Sequence, residues 1–177
     1  MRIISGKYKG RRLNVPKKLP VRPTTDMAKE ALFNILIHRY DFHDLSVLDL
    51  CSGTGNIAYE FSSRGAINIV AVDKEFRCVK FIEQTASEFD MPIDAIKSDV
   101  FSFLERTPLT FDIIFADPPY AMPTEEFASI VQLIFERKLL NSNGLLIIEH
   151  SKHTNLSNLE NFDELKTYGG NCFSFFK

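Results

Sequence analysis

From residue 46 onward, short apolar runs alternate with longer segments in which apolar residues recur every three or four positions. The runs suit buried strands, and the longer segments have the period of amphipathic helices. This alternation predicts an α/β, Rossmann-like domain with a mostly parallel sheet covered by helices on both faces. The predicted strands are 46–51, 68–72, 93–96, 111–116 and 145–149, and the predicted helices are 56–64, 76–89, 99–106 and 124–138.

The two ends of the chain depart from this alternation. Weaker strand patterns over 165–168 and 173–176 predict a closing antiparallel pair. Near the N-terminus, apolar pairs on either side of Ser5-Gly6 and Lys9-Gly10 predict a β-hairpin, and the three prolines between 16 and 23 precede a helix from Thr24 to about Arg39. We therefore expect a hairpin or arm over 1–25 and the Rossmann-like domain over 26–177.

Charge is distributed unevenly between these two parts. Net charge is only -2, but the first 25 residues hold eight of the 21 Lys and Arg residues and no Asp or Glu. A basic arm on an acidic body suggests a polyanionic partner, although a solvated lysine-rich tail would show the same pattern. The candidate contacts for such a partner are Arg2, Lys7, Lys9, Arg11, Arg12 and Arg22.

The length of 177 residues suits one domain with a small appendage, and no apolar run approaches the roughly 20 residues of a membrane span. The N-terminus lacks the apolar segment of a secretory signal. Three widely spaced cysteines predict reduced thiols in the cytoplasm, not a disulfide framework. The histidines show no metal-ligand spacing, so we expect no metal site, and nothing indicates more than a monomer.

A glycine-containing turn follows the first predicted strand. Gly53-Thr54-Gly55 separates that strand from a helix, where backbone can approach a ligand closely. Asp73 ends the second strand 20 residues after Gly53 and can accept hydrogen bonds from ribose hydroxyls. This combination predicts an adenosine-type cofactor across the first two strands, although a tight turn alone would also require glycines.

Two cofactors fit the glycine turn. Gly53-x-Gly55-x-x-Ala58 formally matches a dinucleotide pattern. Asp49, inside the strand before the turn, would repel a pyrophosphate but could hold the ammonium of a methionine moiety. Asp99, after the third strand, could accept from an adenine amino group, or it could simply cap a helix. Three acidic positions favour the cation S-adenosylmethionine over NAD.

The fourth strand ends in Asp117-Pro118-Pro119-Tyr120. An exocyclic amine of a base is a weak nucleophile because its lone pair is delocalised into the ring. Hydrogen bonds from the amine to the Asp117 carboxylate and the Pro118 carbonyl would localise that lone pair, and Tyr120 could stack on a flipped base. The alternative is a strand end followed by a turn. An acid, two prolines and an aromatic residue in this order favour an amino methyltransferase.

One further motif, Arg22-Pro23-Thr24-Thr25-Asp26, could bind phosphate or close over the cofactor, and a helix N-cap fits it equally well. The predicted cofactor site thus comprises Asp49, Ser52, Gly53, Thr54, Gly55, Asp73, Lys74, Asp99, Val100 and Thr24. The predicted catalytic residues are Asp117, Pro118, Pro119 and Tyr120.

The opening sequence from Met1 to Leu13, then Arg22 to Asp26 and Glu30 to Leu36, resembles the bacterial RsmD family. The resemblance continues through the glycine turn, the Asp117–Tyr120 motif, Glu149-His150 and Tyr168-Gly169. It implies a class I S-adenosylmethionine-dependent methyltransferase with a mostly parallel seven-stranded sheet and an RNA-binding hairpin. It also implies methylation of a guanine N2 in small-subunit ribosomal RNA, with an assembling ribosomal particle as the expected partner. Met27 departs from the family's usual Arg, and Cys51-Ser52 from its usual Phe-Ala.

Three alternatives stay open at the level of sequence. A DNA adenine-N6 methyltransferase could use the same four-residue motif, but the chain has no room for a separate DNA-reading domain. A non-catalytic RNA-binding module would not need an intact glycine turn and Asp117–Tyr120 motif. An NAD-dependent oxidoreductase would need a hydride-transfer partner, which no residue evidently supplies.

Overall fold

The structure is a computed structural model that describes residues 1–16, 19 and 24–177. Seven strands form one sheet in the order β3-β2-β1-β4-β5-β7-β6, in which β7 runs in the opposite direction to the other six strands. The strands are β1 Ser46–Leu50, β2 Asn68–Asp73, β3 Ile93–Lys97, β4 Phe111–Ala116, β5 Leu140–Ser151, β6 Phe162–Tyr168 and β7 Asn171–Phe176. The helices are α1 Asp26–Leu36, α2 Asn56–Arg64, α3 Phe76–Phe89, α4 Val100–Arg106 and α5 Thr124–Glu136.

Alternation along the central strands divides the core into two apolar layers. Val47, Phe115 and Ile147 face one side, where they pack with α1, α2 and α3. Ile114 and Ile148 face the other side, where they pack with α4 and α5. Strands buried on both faces read as continuous apolar runs, which is why the sequence predicted this sheet. The two layers are called the α1–α3 face and the α4–α5 face below.

The sequence predictions for the central elements are confirmed, and β5 is the main correction. We expected Asn143-Gly144 to end the connection before β5, but β5 already begins at Leu140. Phe111 of β4 pairs with Leu140 and Ile113 pairs with Leu145, so residues 141–144 form a bulge inside the strand. Asn143 has a φ of 62°, which suits the left-handed turn that a bulge requires. The turn residues therefore interrupt β5 but do not precede it.

The N-terminal hairpin is not confirmed as a pair of strands. Arg2 and Arg12 form one isolated antiparallel bridge, and the Ile3 N–H donates to the Arg11 carbonyl at 3.0 Å. The segment nevertheless packs on the α1–α3 face, because Ile3, Tyr8 and Leu13 are buried in its core. Its basic side chains thus lie outside a backbone that three apolar anchors hold in place.

The buried carboxylate of Glu60 in α2 fixes the same segment. It accepts hydrogen bonds from the N–H groups of Ile4 at 2.9 Å and Ser5 at 3.0 Å. Glu60 also pairs with Arg64 at 3.0 Å and with the buried ammonium of Lys29 at 3.4 Å. A buried charge needs such partners to offset its lost hydration. The N-terminal segment therefore completes the hydrogen bonding of a charge in the core.

Candidate active site

A cavity of about 1000 Å³ opens at the carboxyl ends of the parallel strands. Ligands of open α/β sheets bind at this edge, where the strand order reverses between β1 and β4. The residues that line the cavity include Thr24, Asp49, Ser52, Gly53, Thr54, Asp73, Lys74, Asp99, Val100, Asp117, Pro118, Pro119 and Tyr120. The structure thus brings together the predicted catalytic residues and all but one of the predicted cofactor residues.

The exception is Gly55, which does not line the cavity. Gly55 precedes α2 with a φ of 78°, and a Cβ at this position would come within 2.9 Å of the Tyr59 ring and 3.0 Å of Ile82. The space for a side chain is therefore taken by the core, and the backbone is in the left-handed region that favours glycine. Gly55 therefore contributes to the shape of the turn on the side that packs against the core, not on the side that faces the cavity.

The turn between β1 and α2 is held by β2. Cys51 and Gly53 both have positive φ, at 57° and 53°, so the chain reverses sharply there. The Gly53 N–H donates to Asp73 Oδ2 at 2.8 Å, and the Ser52 N–H donates to the Val72 carbonyl at 3.0 Å. Asp73 also accepts the Glu75 N–H on its other oxygen at 2.8 Å. This carboxylate is consequently fixed at the rim of the cavity between two loops.

Asp49 lies at the floor of the cavity. Its Oδ2 accepts the Ala58 N–H of α2 at 3.1 Å, and the residue is buried. Burial, followed by repulsion from Asp73, raises the pKa of Asp49 to about 8, even though the Ala58 hydrogen bond opposes the rise. A cation bound next to Asp49 would relieve this penalty. The floor of the cavity is therefore suited to a positively charged ligand group.

Asp117 follows β4 at the centre of the same edge. Its N–H donates to the Leu50 carbonyl at 3.1 Å, which anchors the turn that contains the two prolines to β1. Burial raises the pKa of the Asp117 carboxyl well above its usual value, and Glu149 and Asp49 raise it further. Tyr120, 40% exposed, stands at the mouth of the cavity. The motif thus extends from the half-buried Asp117 to the exposed ring of Tyr120.

Asp99 caps a helix and also lines the cavity. Its Oδ1 accepts the Ser102 N–H at 2.9 Å and caps α4, and this hydrogen bond lowers the pKa of the carboxyl. Asp99 also lines the cavity, with Val100 and Phe101 beside it. A side-chain oxygen at an N-cap has acceptor capacity beyond one hydrogen bond. Capping and ligand contact are therefore compatible at this position.

Sequence reasoning assigned no role to several residues of the cavity wall. Glu149 at the end of β5 and Asn171 at the start of β7 both line the cavity, as do Cys51 and Phe101. Glu149 had a detectable signal, because an acid follows four apolar residues at a strand end, as Asp117 does. Asn171 had no such signal in the sequence, since only the antiparallel pairing of β5 with β7 brings it to this edge of the sheet.

A chain of hydrogen bonds joins this wall to the N-terminal segment. Thr24 Oγ1 donates to Glu149 Oε2 at 2.8 Å, and Asn56 Nδ2 donates to the Thr24 carbonyl at 3.0 Å. Lys29 Nζ donates to Asn56 Oδ1 and to the Arg2 carbonyl, both at 2.7 Å. Met1 lies against Thr54 of the glycine turn, with Sδ 3.4 Å from Oγ1. The N-terminal segment thus packs beside the cavity.

The predicted polyanion contacts lie on the exterior of that segment. Arg2, Lys7, Lys9, Arg11 and Arg12 are all exposed. The Arg11 guanidinium stacks over Phe89 at 4.9 Å, and Arg2 pairs with Asp26 at 3.4 Å. Arg22, Lys17 and Lys18 lie outside the described residues. Arg2 and Arg12 thus lie beside Asp26 at the start of α1, whereas Lys7 and Arg11 lie toward the ends of α2 and α3, next to Ser63 and Phe89.

Two kinds of feature are absent from the described part of the chain. Within 1–16, 19 and 24–177, no three His, Cys, Asp or Glu side chains are grouped to hold a metal ion. Over the same ranges, no helix has the length and apolar character needed to cross a membrane.

Known proteins match both the sequence and the fold. Ribosomal RNA small subunit methyltransferase D of Haemophilus influenzae is 30% identical over 171 residues, covering 94% of this chain and 86% of the relative. A solved structure described as a hypothetical protein of Thermus thermophilus has a TM-score of 0.87 at 26% identity and covers 100% of this chain and 99% of its own. The Thermus thermophilus 16S rRNA N2 methyltransferase RsmC, solved with AdoMet and guanosine, has a TM-score of 0.70 at 20% identity, covering 87% and 43%.

The strand order and these structural neighbours define the fold as that of the class I S-adenosylmethionine-dependent methyltransferases. A match to the family described as Conserved hypothetical protein 95 extends over residues 1–177, and the chain belongs to that family, which is the RsmD family of the sequence resemblance. The fold and the family assignments made from sequence are therefore confirmed.

Proposed function

We propose that this protein transfers a methyl group from S-adenosylmethionine to the N2 amino group of a guanine in small-subunit ribosomal RNA. The observation that carries the proposal is that the glycine turn and the Asp117–Tyr120 motif line one cavity. Ribosomal RNA methylation is supported by relatives at about 30% identity that are named small-subunit rRNA methyltransferases. The choice of the guanine N2 atom as the methyl acceptor is proposed in addition.

The cavity is suited to S-adenosylmethionine on the chemistry of its lining. Asp73 would bind the ribose hydroxyls, Asp99 the adenine amino group, and Asp49 the ammonium of the methionine moiety. Ser52, Gly53 and Thr54 of the glycine turn line the same cavity, together with Thr24, Lys74 and Val100. The buried Asp49, whose pKa is about 8, is the strongest indication of a cationic ligand. When bound, S-adenosylmethionine supplies a methyl group on a positively charged sulfur that a nitrogen lone pair can attack in line.

The residues after β4 would prepare the attacking amine. The Asp117 carboxylate and the Pro118 carbonyl accept one N–H each from N2, which concentrates the lone pair on nitrogen. Pro118 and Pro119 fix φ along the turn and thus hold that carbonyl in place. Tyr120 stacks on the flipped base, a contact worth about 1–3 kcal/mol. Asp117 then takes the proton that the methylated amine releases, which its raised pKa favours.

The RNA would contact the basic N-terminal surface. Arg2 and Arg12 lie beside Asp26 at the start of α1, and Lys7, Lys9 and Arg11 continue the exposed basic surface along the N-terminal segment, where they would bind phosphates of the RNA whose flipped base enters the cavity. Arg22 belongs to the same prediction. We also propose that the protein acts as a cytoplasmic monomer on RNA in an assembling ribosomal particle, with residues 1–25 as the RNA-contacting part of the chain and 26–177 as the methyltransferase domain.

Transfer of radiolabelled methyl from S-adenosylmethionine tests the reaction. Small ribosomal subunits from cells that lack this protein serve as the acceptor, and nucleoside analysis identifies the product. We expect label in N2-methylguanosine. Label in N6-methyladenosine would overturn the choice of base. Intact S-adenosylmethionine binding without transfer to subunits or to their precursor particles would overturn the choice of RNA.

Asp117→Ala should reduce transfer by roughly 10³-fold or more, because the amine loses its main acceptor in a site that excludes most water. Binding of S-adenosylhomocysteine, measured by calorimetry, should change little. Asp94→Ala, an exposed aspartate on β3, is the matched control and should retain full activity. Wild-type turnover by the Asp117 variant would rule out the proposed role of this carboxylate.

Arg11→Glu combined with Arg12→Glu should weaken RNA binding and reduce its salt dependence, because two phosphate contacts are lost. Arg106→Glu with Lys138→Glu reverses two exposed charges on the α4–α5 face and is the control pair. Fluorescence anisotropy with small-subunit RNA at several salt concentrations measures both effects. If the RNA affinity of the two double variants depended on salt concentration to the same degree, the N-terminal cations would serve solubility and not RNA binding.

A further inference from the structure

Glu149 is placed beside the proposed target site by the register of the sheet. Ala116 pairs with Ile148, so Asp117, just after β4, stands next to Glu149, two residues before the end of β5. After burial, the negative charge of Glu149 contributes most to the raised pKa of Asp117. Glu149 is only 2% exposed, yet it lines the cavity. Its carboxylate is therefore part of the wall next to Asp117, on the side away from the glycine turn.

Hydrogen bonds from two other elements orient this carboxylate. Thr24, at the start of α1, donates to Oε2 at 2.8 Å, and the Asn171 amide of β7 donates to Oε1. A carboxylate offers about four acceptor positions, so these two bonds are compatible with another donor from the cavity. The Asn171 amide itself has a second N–H and also lines the cavity. The wall thus presents Asp117 after β4, then Glu149 of β5, then the amide of Asn171 of β7.

Thr24 and Asn171 donate to different oxygens of Glu149, so a neutral Gln, with its single acceptor oxygen, could not accept both bonds in this arrangement. The carboxylate that accepts both is a buried negative charge next to Asp117, and this placement costs free energy. Charged side chains that are buried at a cavity wall despite this cost are commonly ones that bind a ligand. The ligand group that would offset it is a strong hydrogen-bond donor.

The Watson–Crick edge of guanine has the complementary order. It presents the N2 amino group and N1–H as adjacent donors, followed by O6 as an acceptor, whereas adenine and cytosine present an acceptor next to their amino group. We infer that Glu149 is a specificity residue that accepts the guanine N1–H while Asp117 holds N2, with the Asn171 amide beyond them facing O6. This inference rests on the proposed function, because it names the base edge that the same pocket would recognise.

This arrangement accounts for the choice of guanine among bases that have an exocyclic amine. A base with a lone pair at the ring nitrogen next to its amine would place that lone pair against the Glu149 carboxylate. A site built to hydrogen-bond a donor rejects an analogue that carries a lone pair at the same position, because lone pair and carboxylate repel each other. Asp117 alone would not discriminate, since all exocyclic amines donate.

The analogue 2-aminopurine keeps the N2 amino group but has a lone pair at N1 and a hydrogen in place of O6. The change of the ratio in variants of Glu149, and not the wild-type ratio alone, therefore tests the N1 contact. It would replace the methylated guanine, once mapped, in reconstituted small-subunit particles. For the wild-type protein we expect transfer to guanine to exceed transfer to 2-aminopurine by roughly 100-fold. Glu149→Gln can present its amide N–H to the N1 lone pair, so the ratio should fall at least tenfold. Binding of S-adenosylhomocysteine should stay unchanged and report that the variant is folded.

Two further variants complete the experiment. Thr24→Val removes the hydroxyl that orients Glu149 and should lower the ratio by a smaller factor in the same direction. Glu164→Gln, a glutamate on the edge strand β6, is the matched control and should leave the ratio at the wild-type value. An unchanged ratio in both Glu149→Gln and Thr24→Val would overturn the inference while leaving the proposed function intact. Failure of the wild-type protein to methylate guanine at all would overturn both.

Discussion

The two faces of the sheet are equally well buried, but they differ in polarity. On the α4–α5 face, the core is an apolar layer that includes Leu48 and Phe176, and its buried His150 and Ser174 side chains hydrogen-bond to each other at 2.8 Å. Among the described residues, the four buried Lys, Arg, Asp and Glu side chains all lie on the α1–α3 face, and they are Lys29, Asp49, Glu60 and Glu149. The difference indicates that one face mainly supplies stability, while the other carries the charges that the proposed reaction and the N-terminal segment require.

The charged face should be the more fragile of the two. Lys29→Met leaves Asn56 Oδ1 and the Arg2 carbonyl without their donor and removes a partner of Glu60. Breaking a buried ion pair on one side costs about 3–5 kcal/mol. We expect the free energy of unfolding to fall by about that amount in urea denaturation. The exposed Lys80→Met should change it by less than about 0.5 kcal/mol. A Lys29 variant as stable as the Lys80 variant would show that the charge pair is dispensable.

The apolar face should lose stability without affecting the site. Ile134 in α5 is fully buried, and Ile134→Ala leaves a cavity that typically costs about 2–5 kcal/mol. We expect a loss of about 3 kcal/mol in urea denaturation and no change in S-adenosylhomocysteine affinity below the new midpoint. Ile67→Ala, at a half-exposed position, is the control. A large loss of affinity in the Ile134 variant would contradict the separation of roles between the two faces.

The smallest expected effect is a pH dependence of stability that originates at Asp49. Its folded-state pKa of about 8 lies above the unfolded value, so the folded protein binds the extra proton between these values and its stability falls as pH rises toward 8. One such group contributes a slope of at most about 1.4 kcal/mol per pH unit. Asp49→Asn removes that titration and should flatten the curve between about pH 6 and pH 8.

Urea denaturation without cofactor at the two pH values measures this slope. Asp94→Asn, at an exposed site on β3, should keep the wild-type slope. Asp117, whose pKa is also raised, should leave a residual slope in the Asp49 variant. If the Asp49 and Asp94 variants lose stability equally over this pH range, Asp49 is already ionised in the folded protein.

Residues of the site differ in how far sequence predicted them. Asp49, Asp73, Asp99 and Asp117 all stand at the carboxyl ends of strands, and parallel strands bring those ends to one edge, so their convergence could be foreseen. Gly55 was predicted as a ligand contact, but the structure places it against Tyr59 and Ile82. A glycine in a turn is required equally by a ligand and by a packed core, and sequence does not distinguish the two.

The sequence by itself determined the alternation of strands and helices, the apolar face of the amphipathic helices, and the carboxylates at the strand ends. These follow from local periodicity and from turn chemistry, which operate over a few residues. Only the tertiary structure decided that Glu149, Thr24 and Asn171 meet at one carboxylate, and that Lys29 and Glu60 join the N-terminal segment to α2. These contacts link residues as far as 125 positions apart, and they form because a buried charge must find hydrogen-bond partners wherever the fold brings them.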